Sequence, residues 1–168
     1  PEGKSIKKDH TQVGNIWVKG PTVINKYYKE RDFCVDSEGW FDTGDIGNLD
    51  EDGYISLTDR SKDLIKSGGE WISSIQLEQI IRRHPKVYDA SVIGIKDKKW
   101  GERPLVVAEI EKNANASERE ILDYFKDKIA KWQIPDKVIF VDELPLSSTG
   151  KPLKNKLRDK YFDQFVKE

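Results

Sequence analysis

Methionine is absent from this chain of 168 residues, and cysteine occurs once, at Cys34. A lone cysteine rules out an intrachain disulfide and any zinc cluster built from thiolates. Histidine is nearly as scarce: His10 and His84 lie far apart, neither in a metal-ligand spacing, so no metal ligand is assigned. No apolar run reaches the length of a membrane span and no secretory leader is visible. A cytoplasmic protein without a transmembrane segment is therefore expected. An excess of one charge is missing too, since 29 basic and 30 acidic side chains leave a net charge of −1. That balance argues against a nucleic-acid partner, which would call for a marked basic surplus. The run KPLKNKLRDK from Lys151 to Lys160 is a local basic stretch and reads as a solvated helix face. With Pro1 at its start and no methionine anywhere, the sequence is expected to be a piece of something longer, entered in mid-course.

What is present suffices for one domain or one and a half, with hydrophobic residues at 36%. Residues 13–19 read as a strand ended by Gly20-Pro21. Residues 25–34 have no clean periodicity and read as a short helix or a loop. Segments 46–49 and 54–58 flank Asp50-Glu51-Asp52-Gly53, a turn sequence that predicts a β-hairpin. Ile75, Leu77, Ile80, Ile81 and His84 fit a helix that stops before Pro85. Residues 87–95 and 104–110 read as strands. Ser117 with Glu120 forms a capping box, and Ile121, Leu122, Phe125, Ile129 and Trp132 fit one face of a helix closed by Pro135. A strand over 138–141 follows, and Leu153, Leu157, Tyr161 and Phe165 mark a last helix. The expectation is an α+β fold: a small C-terminal domain over 59–168, its helices on one face of a short sheet, preceded by a β-rich segment over 1–58.

Several residues carry chemical interest. Asp45, placed at the end of a Thr43-Gly44 turn before the first hairpin strand, could accept bonds from vicinal hydroxyls or merely bond its own backbone. Asp59 and Arg60 at the domain junction would ordinarily be a surface ion pair of little energetic weight. Ser67-Gly68-Gly69-Glu70-Trp71 is a Gly-Gly turn followed by an aromatic, suited either to close approach of a thin ligand or to a tight turn before a helix. Trp100, in Trp100-Gly101-Glu102-Arg103-Pro104, is expected to pack in the core at a strand end. Near the C-terminus, Pro145-Leu146-Ser147-Ser148-Thr149-Gly150-Lys151 reads as a flexible loop delivering one cation. It is no Walker loop: Pro145 stands where that pattern needs glycine, and Pro152 where it needs Ser or Thr.

Three of these stretches, Trp40 to Asp45, Asp59 to Glu70 and Pro145 to Lys151, occur in the order of the last three signature motifs of adenylate-forming acyl-CoA synthetases. Over roughly residues 13–161 the chain resembles the C-terminal portion of that family, most closely the medium- and long-chain fatty-acyl-CoA ligases. The SGGEWISS form at 67–74 favours those ligases over peptide-synthetase enzymes. The resemblance implies a two-step reaction: a fatty acid and Mg-ATP give an acyl-adenylate, and the CoA thiol then displaces AMP. It implies that Lys151 bridges the carboxylate and the α-phosphate, that Asp45 and Arg60 bind the nucleotide, and that Asp59 is the hinge of a rotating C-terminal domain. It also implies that Ser67, Gly68, Gly69, Glu70 and Trp71 line the tunnel for the pantetheine arm of CoA, with Glu78 structural. ATP or AMP, CoA and Mg2+ belong to the full-length enzyme, whose large N-terminal domain would act in cis. None is expected to bind this chain alone, which is expected to be inactive and, through unpaired strand edges in 1–58, prone to self-association. Loading of a carrier protein instead of free CoA, or a non-catalytic regulatory role, remain as alternatives.

Overall fold

The computed structural model describes residues 5–164. The chain divides into two compact units, one up to Lys62 and one from Asp63 onward.

In the first unit, β1 (Gly14–Val18), β2 (Phe41–Leu49) and β3 (Ile55–Arg60) form an antiparallel sheet in that order. The expected hairpin is there: Leu49 faces Ile55, and the Asp50 carboxylate accepts the Tyr54 N–H at 2.7 Å across the turn. Gly53 takes φ +87°, which an L-residue adopts only under strain. β2 is longer than the pattern suggested and already contains Thr43-Gly44-Asp45. Residues 25–34 form turns rather than a helix. Among the described residues, Ile46 is the one large apolar side chain buried in this unit.

The second unit is built on a long antiparallel pair, β6 (Val87–Asp97) with β7 (Gly101–Ile110), in one register from Asp89 opposite Glu109 to Asp97 opposite Gly101, with a shift before Asp89. β8 (Lys137–Val141) runs parallel to β7, and a short hairpin of β4 (Ile65–Ser67) and β5 (Glu70–Ile72) joins the sheet where Ser67 pairs with Gly101. The middle of each central strand, Ala90 to Ile95 and Pro104 to Ala108, is apolar apart from Ser91 because both of its faces are covered. On one face Ala90, Val92, Val106 and Ala108 pack with Leu77 and Ile81 of α1 (Ser74–Ile81) and with Ile121 of α2 (Glu118–Asp123) and Phe125. On the other, Ile93, Ile95, Leu105 and Val107 pack with Leu144 and with Leu157 and Tyr161 of α3 (Lys154–Tyr161). Each such side chain, fully buried, contributes roughly 1.5–3 kcal/mol.

The α+β class is as expected, but α3 lies across the face opposite α1 and α2, so helices flank the sheet on both sides. Alternate residues of one apolar strand point both ways, and each face needs its own cover. Three local features also differ. β4 and β5 were not anticipated, being strands of three residues each on either side of Gly68-Gly69. α1 ends at Ile81, three residues before His84, which Pro85 keeps out of helical geometry. α2 stops at Asp123; turns follow, with Asp127 at φ +63°, then a 3₁₀ turn over Lys131–Gln133. A residue with positive φ cannot continue a helix, so Phe125 is buried while Trp132 stands in solvent. Phe165 lies outside the described residues.

Candidate functional site

Pairing of β2 with β3 sets Asp45 directly opposite Arg60. Their side chains point to the same side of the sheet and meet, Arg60 Nε to Asp45 Oδ1 at 3.0 Å. Asp45 therefore lies within a strand rather than ahead of one. Its strand register, not a turn, fixes its direction. Arg60 also donates to the Thr43 carbonyl at 3.3 Å, and Ser61 closes the corner through the Gly44 carbonyl. Asp59, pointing the other way, is 2% exposed, and its carboxylate accepts the Arg60 backbone N–H at 2.7 Å. The adjacent Asp59 and Arg60 are thus not a surface ion pair: one is buried and the other is paired across the sheet. The solvent-facing result is a carboxylate and a guanidinium side by side. Such a pair offers acceptors for hydroxyls next to donors for phosphate oxygens.

In the second unit the Gly-Gly turn is the tip of the β4–β5 hairpin. Gly68 has φ +62°, and a Cβ there would fall 2.8 Å from the Trp100 ring. Its N–H donates to the Trp100 carbonyl at 2.7 Å. Trp100 is thus not a core residue. At 46% exposure it lies against the bare backbone of Gly68, with the Lys99 ammonium 4.6 Å from its ring centre. Trp71 is similarly exposed beside Lys66, and Glu70 is exposed as well. Ser67 faces inward, and its hydroxyl accepts from Arg103 at 3.0 Å. Arg103 is buried and also donates to the Trp132 and Ile134 carbonyls and to both oxygens of Asp136. It fastens the hairpin to the segment before β8. The fork of five donors suits this hub in a way that a lysine does not.

The lysine turn is compact rather than flexible. Ser147 N–H donates to the Lys151 carbonyl at 2.8 Å, Lys151 N–H returns to the Ser147 hydroxyl at 3.1 Å, and Gly150 N–H bonds the Ser147 carbonyl. Leu146 and Pro152 form an isolated bridge beneath it, and Leu153 N–H reaches the Pro145 carbonyl at 2.7 Å. Buried Leu144 roots the turn in the core. The Lys151 side chain is exposed and makes no ion pair among the described residues. By contrast, Lys154 pairs with Glu78 and Arg158 with Asp63.

The structure thus brings Asp45 and Arg60 together in the first unit. It places residues 67–71 and Lys151 on two separate turns of the second. Among the described residues no three His, Cys, Asp or Glu side chains converge as a metal site, and no helix is long and apolar enough to cross a membrane. Sequence reasoning passed over Arg103 and Lys154. Glu78 offered the signal: a glutamate between Leu77 and Ile81 on the buried helix face demands a cation partner.

Residues 76–151 match the family model described as the AMP-binding enzyme C-terminal domain, and the match ends on Lys151. These residues are an AMP-binding enzyme C-terminal domain. Beyond it, the chain is 51% identical to a 3-methylmercaptopropionyl-CoA ligase of Ruegeria lacuscaerulensis, over 96% of this chain and 30% of the relative. It is 48% identical to a medium-chain-fatty-acid–CoA ligase of Ectopseudomonas oleovorans over the same shares. Among solved structures, ATP-bound MatB from Rhodopseudomonas palustris superposes with a TM-score of 0.84 at 35% identity, covering 94% of this chain and 32% of that one. The chain thus spans about 30% of the length of the curated relatives it matches. The AMP-binding C-terminal domain coincides with most of the second unit. Asp45, Asp59, Arg60 and residues 67–71 lie before it in sequence.

Proposed function

We propose that this chain works as the C-terminal part of a cytoplasmic, AMP-forming ligase that joins a fatty acid to CoA, together with a large adenylating domain in cis. Lys151 carries the reading. Its ammonium is held at the tip of a self-bonded turn, with no carboxylate to neutralise it among the described residues. Identity near 50% to two CoA ligases across 96% of the chain supports it.

In the first half-reaction a carboxylate oxygen attacks the α-phosphorus of ATP, pyrophosphate leaves, and an acyl-adenylate forms. Two anions must meet, so a fixed cation between them lowers the barrier most where water is excluded. Lys151 fills that role. In the second, the CoA thiol attacks the acyl carbonyl, its proton is lost, and AMP leaves with the bonding pair. Asp45 accepts the ribose hydroxyls while Arg60 faces phosphate, which asks their mutual contact to open as the nucleotide arrives. Residues 67–71 border the pantetheine path, where Gly69, with open space where a Cβ would stand, leaves the backbone accessible to a thin chain while Trp100 covers Gly68. Asp59, three residues before the unit boundary, is the hinge for exchange between the two steps. Mg2+ accompanies ATP and takes its protein ligands from the large domain.

The test is Lys151→Ala in the whole ligase, with the half-reactions assayed apart. ATP–pyrophosphate exchange is expected to fall by 10²-fold or more, about 3 kcal/mol, while thioester formation from supplied acyl-adenylate persists. Survival of both would remove Lys151 from the chemistry. The chain by itself is expected to form no acyl-adenylate.

A further inference from the structure

Lys151 and Gly68-Gly69 are far apart in sequence, yet each turn runs directly into a helix, and the first residues of those two helices touch. The Lys151 turn leads through Pro152 and Leu153 into α3, whose first residue is Lys154. The Gly-Gly hairpin leads through β5 and the capping Ser73 into α1, whose first residue is Ser74. Lys154 Nζ donates to Ser74 Oγ at 2.7 Å and pairs with Glu78 Oε1 at 2.8 Å. The ion pair is enclosed, its side chains 12% and 8% exposed. The same Glu78 oxygen accepts the Val92 N–H of the central strand at 2.8 Å and the Ser91 hydroxyl at 3.3 Å. One buried ammonium therefore joins the ends of both turns to each other and to the sheet.

We propose that Lys154 is a positioning residue that locks the Lys151 turn and the Gly68-Gly69 hairpin into one rigid body, so that a single domain presents both in fixed relation. The functional half of this inference rests on the reading of those turns given above. A buried ion pair adds little net stability over an apolar substitute, but it fixes geometry tightly and leaves a stranded charge when one partner is removed. Misplacement by about 1 Å of a group that acts in the transition state lowers a rate as much as 10²-fold. The effect of losing Lys154 is therefore on positioning at both turns, although the side chain reaches neither substrate.

Two measurements test this. In the 168-residue chain, Lys154→Met keeps the apolar stem and removes the charge. Hydrogen exchange at the Gly150, Lys151 and Gly68 amides is expected to accelerate together, about tenfold, with the β7 amides unchanged. Acceleration at one turn alone, or at neither, overturns the coupling. In the whole ligase, K154M is expected to lower kcat of both half-reactions about tenfold or more with KM for ATP unchanged, and K154R to recover most of both. A loss confined to stability, with both rates intact in the folded fraction, overturns the positioning role. Should K154M fail to fold, Ser74→Ala carries the test, as it removes the hydroxyl that Lys154 bonds and leaves the ion pair. It is expected to show the same pattern at about threefold, and unchanged exchange and rates would overturn the proposal. Lys151→Ala serves as the control: if it spares pyrophosphate exchange, the reading of the turn fails, while the exchange data on K154M still decide the coupling.

Discussion

The two units of this chain are held together by different means. The unit from Asp63 onward has a sheet covered on both faces, with Phe125, Leu77 and Ile81 sealed on one side and Leu144, Leu157 and Tyr161 on the other. The unit up to Lys62 has a three-stranded sheet and Ile46 as its one large buried apolar side chain among the described residues. Trp17, Tyr27, Tyr28, Phe33, Tyr54, Ile55 and Leu57 all face solvent there. A sheet needs a second layer against which to bury a face. The later unit contains its layers, whereas the earlier one relies on strand hydrogen bonds. The proposed nucleotide pair, Asp45 and Arg60, sits on the less supported unit, and Lys151 on the self-sufficient one.

The sharpest way to break this contrast is to separate the halves. Residues 63–168 expressed alone are expected to give dispersed amide spectra and one cooperative thermal transition. Residues 1–62 alone are expected to show neither, and to self-associate through open strand edges and exposed aromatics. A folded, monomeric 1–62 would overturn the comparison outright. A milder probe is a pair of truncations read by urea denaturation of the whole chain. Phe125→Ala should cost about 3–5 kcal/mol by opening a cavity between α2 and the sheet, and Leu57→Ala no more than about 0.5 kcal/mol, as a surface change. Equal effects would mean that the first unit packs as tightly as the second.

The smallest expected effect is a pH dependence belonging to the second unit. His84 is buried against the edge of Tyr124, its Nδ1 accepting the Lys86 N–H. Burial holds its imidazole below the ordinary value of 6.5, against the opposing pull of Glu120. The unfolded chain therefore binds this proton more readily, and stability is lost as pH falls below about 6.5. Above that pH the contribution is complete. Glu120, whose carboxyl is held low by its hydrogen bond from Lys86, adds its own loss only in more acid solution. Urea midpoints between about pH 5 and 7 should decline toward acid, and His84→Gln should flatten the slope. An unchanged slope would assign it to other groups.

How much could be read beforehand depended on how local each feature was. β6 and β7 were legible because their apolar runs have no other plausible fate. The cap at Ser117 and the end of α1 ahead of Pro85 are decided within a few residues. The Lys151 turn was legible as a motif, since glycine and proline at fixed spacing set its path, although its internal hydrogen bonds make it stiffer than its polar composition implied. β4 and β5 escaped because strands of three residues carry no period. The long helix expected after Ser117 broke at Asp123 although its periodicity held as far as Phe125. Apolar spacing records which side chains need burial, not whether one unbroken helix delivers them.

By itself the sequence determined the α+β character of the later unit, the strands at the centre of its core and the identity of the chemically interesting turns. Composition and short-range pattern fix which segments must be buried and which must bend. Only the tertiary structure decided that Asp45 meets Arg60, that Trp100 lies over Gly68 rather than in the core, and that Lys154 ties α3 to α1 through Ser74 and Glu78. Each of these contacts depends on strand register or helix packing between residues distant in sequence, where a shift of one position turns a side chain to the opposite face.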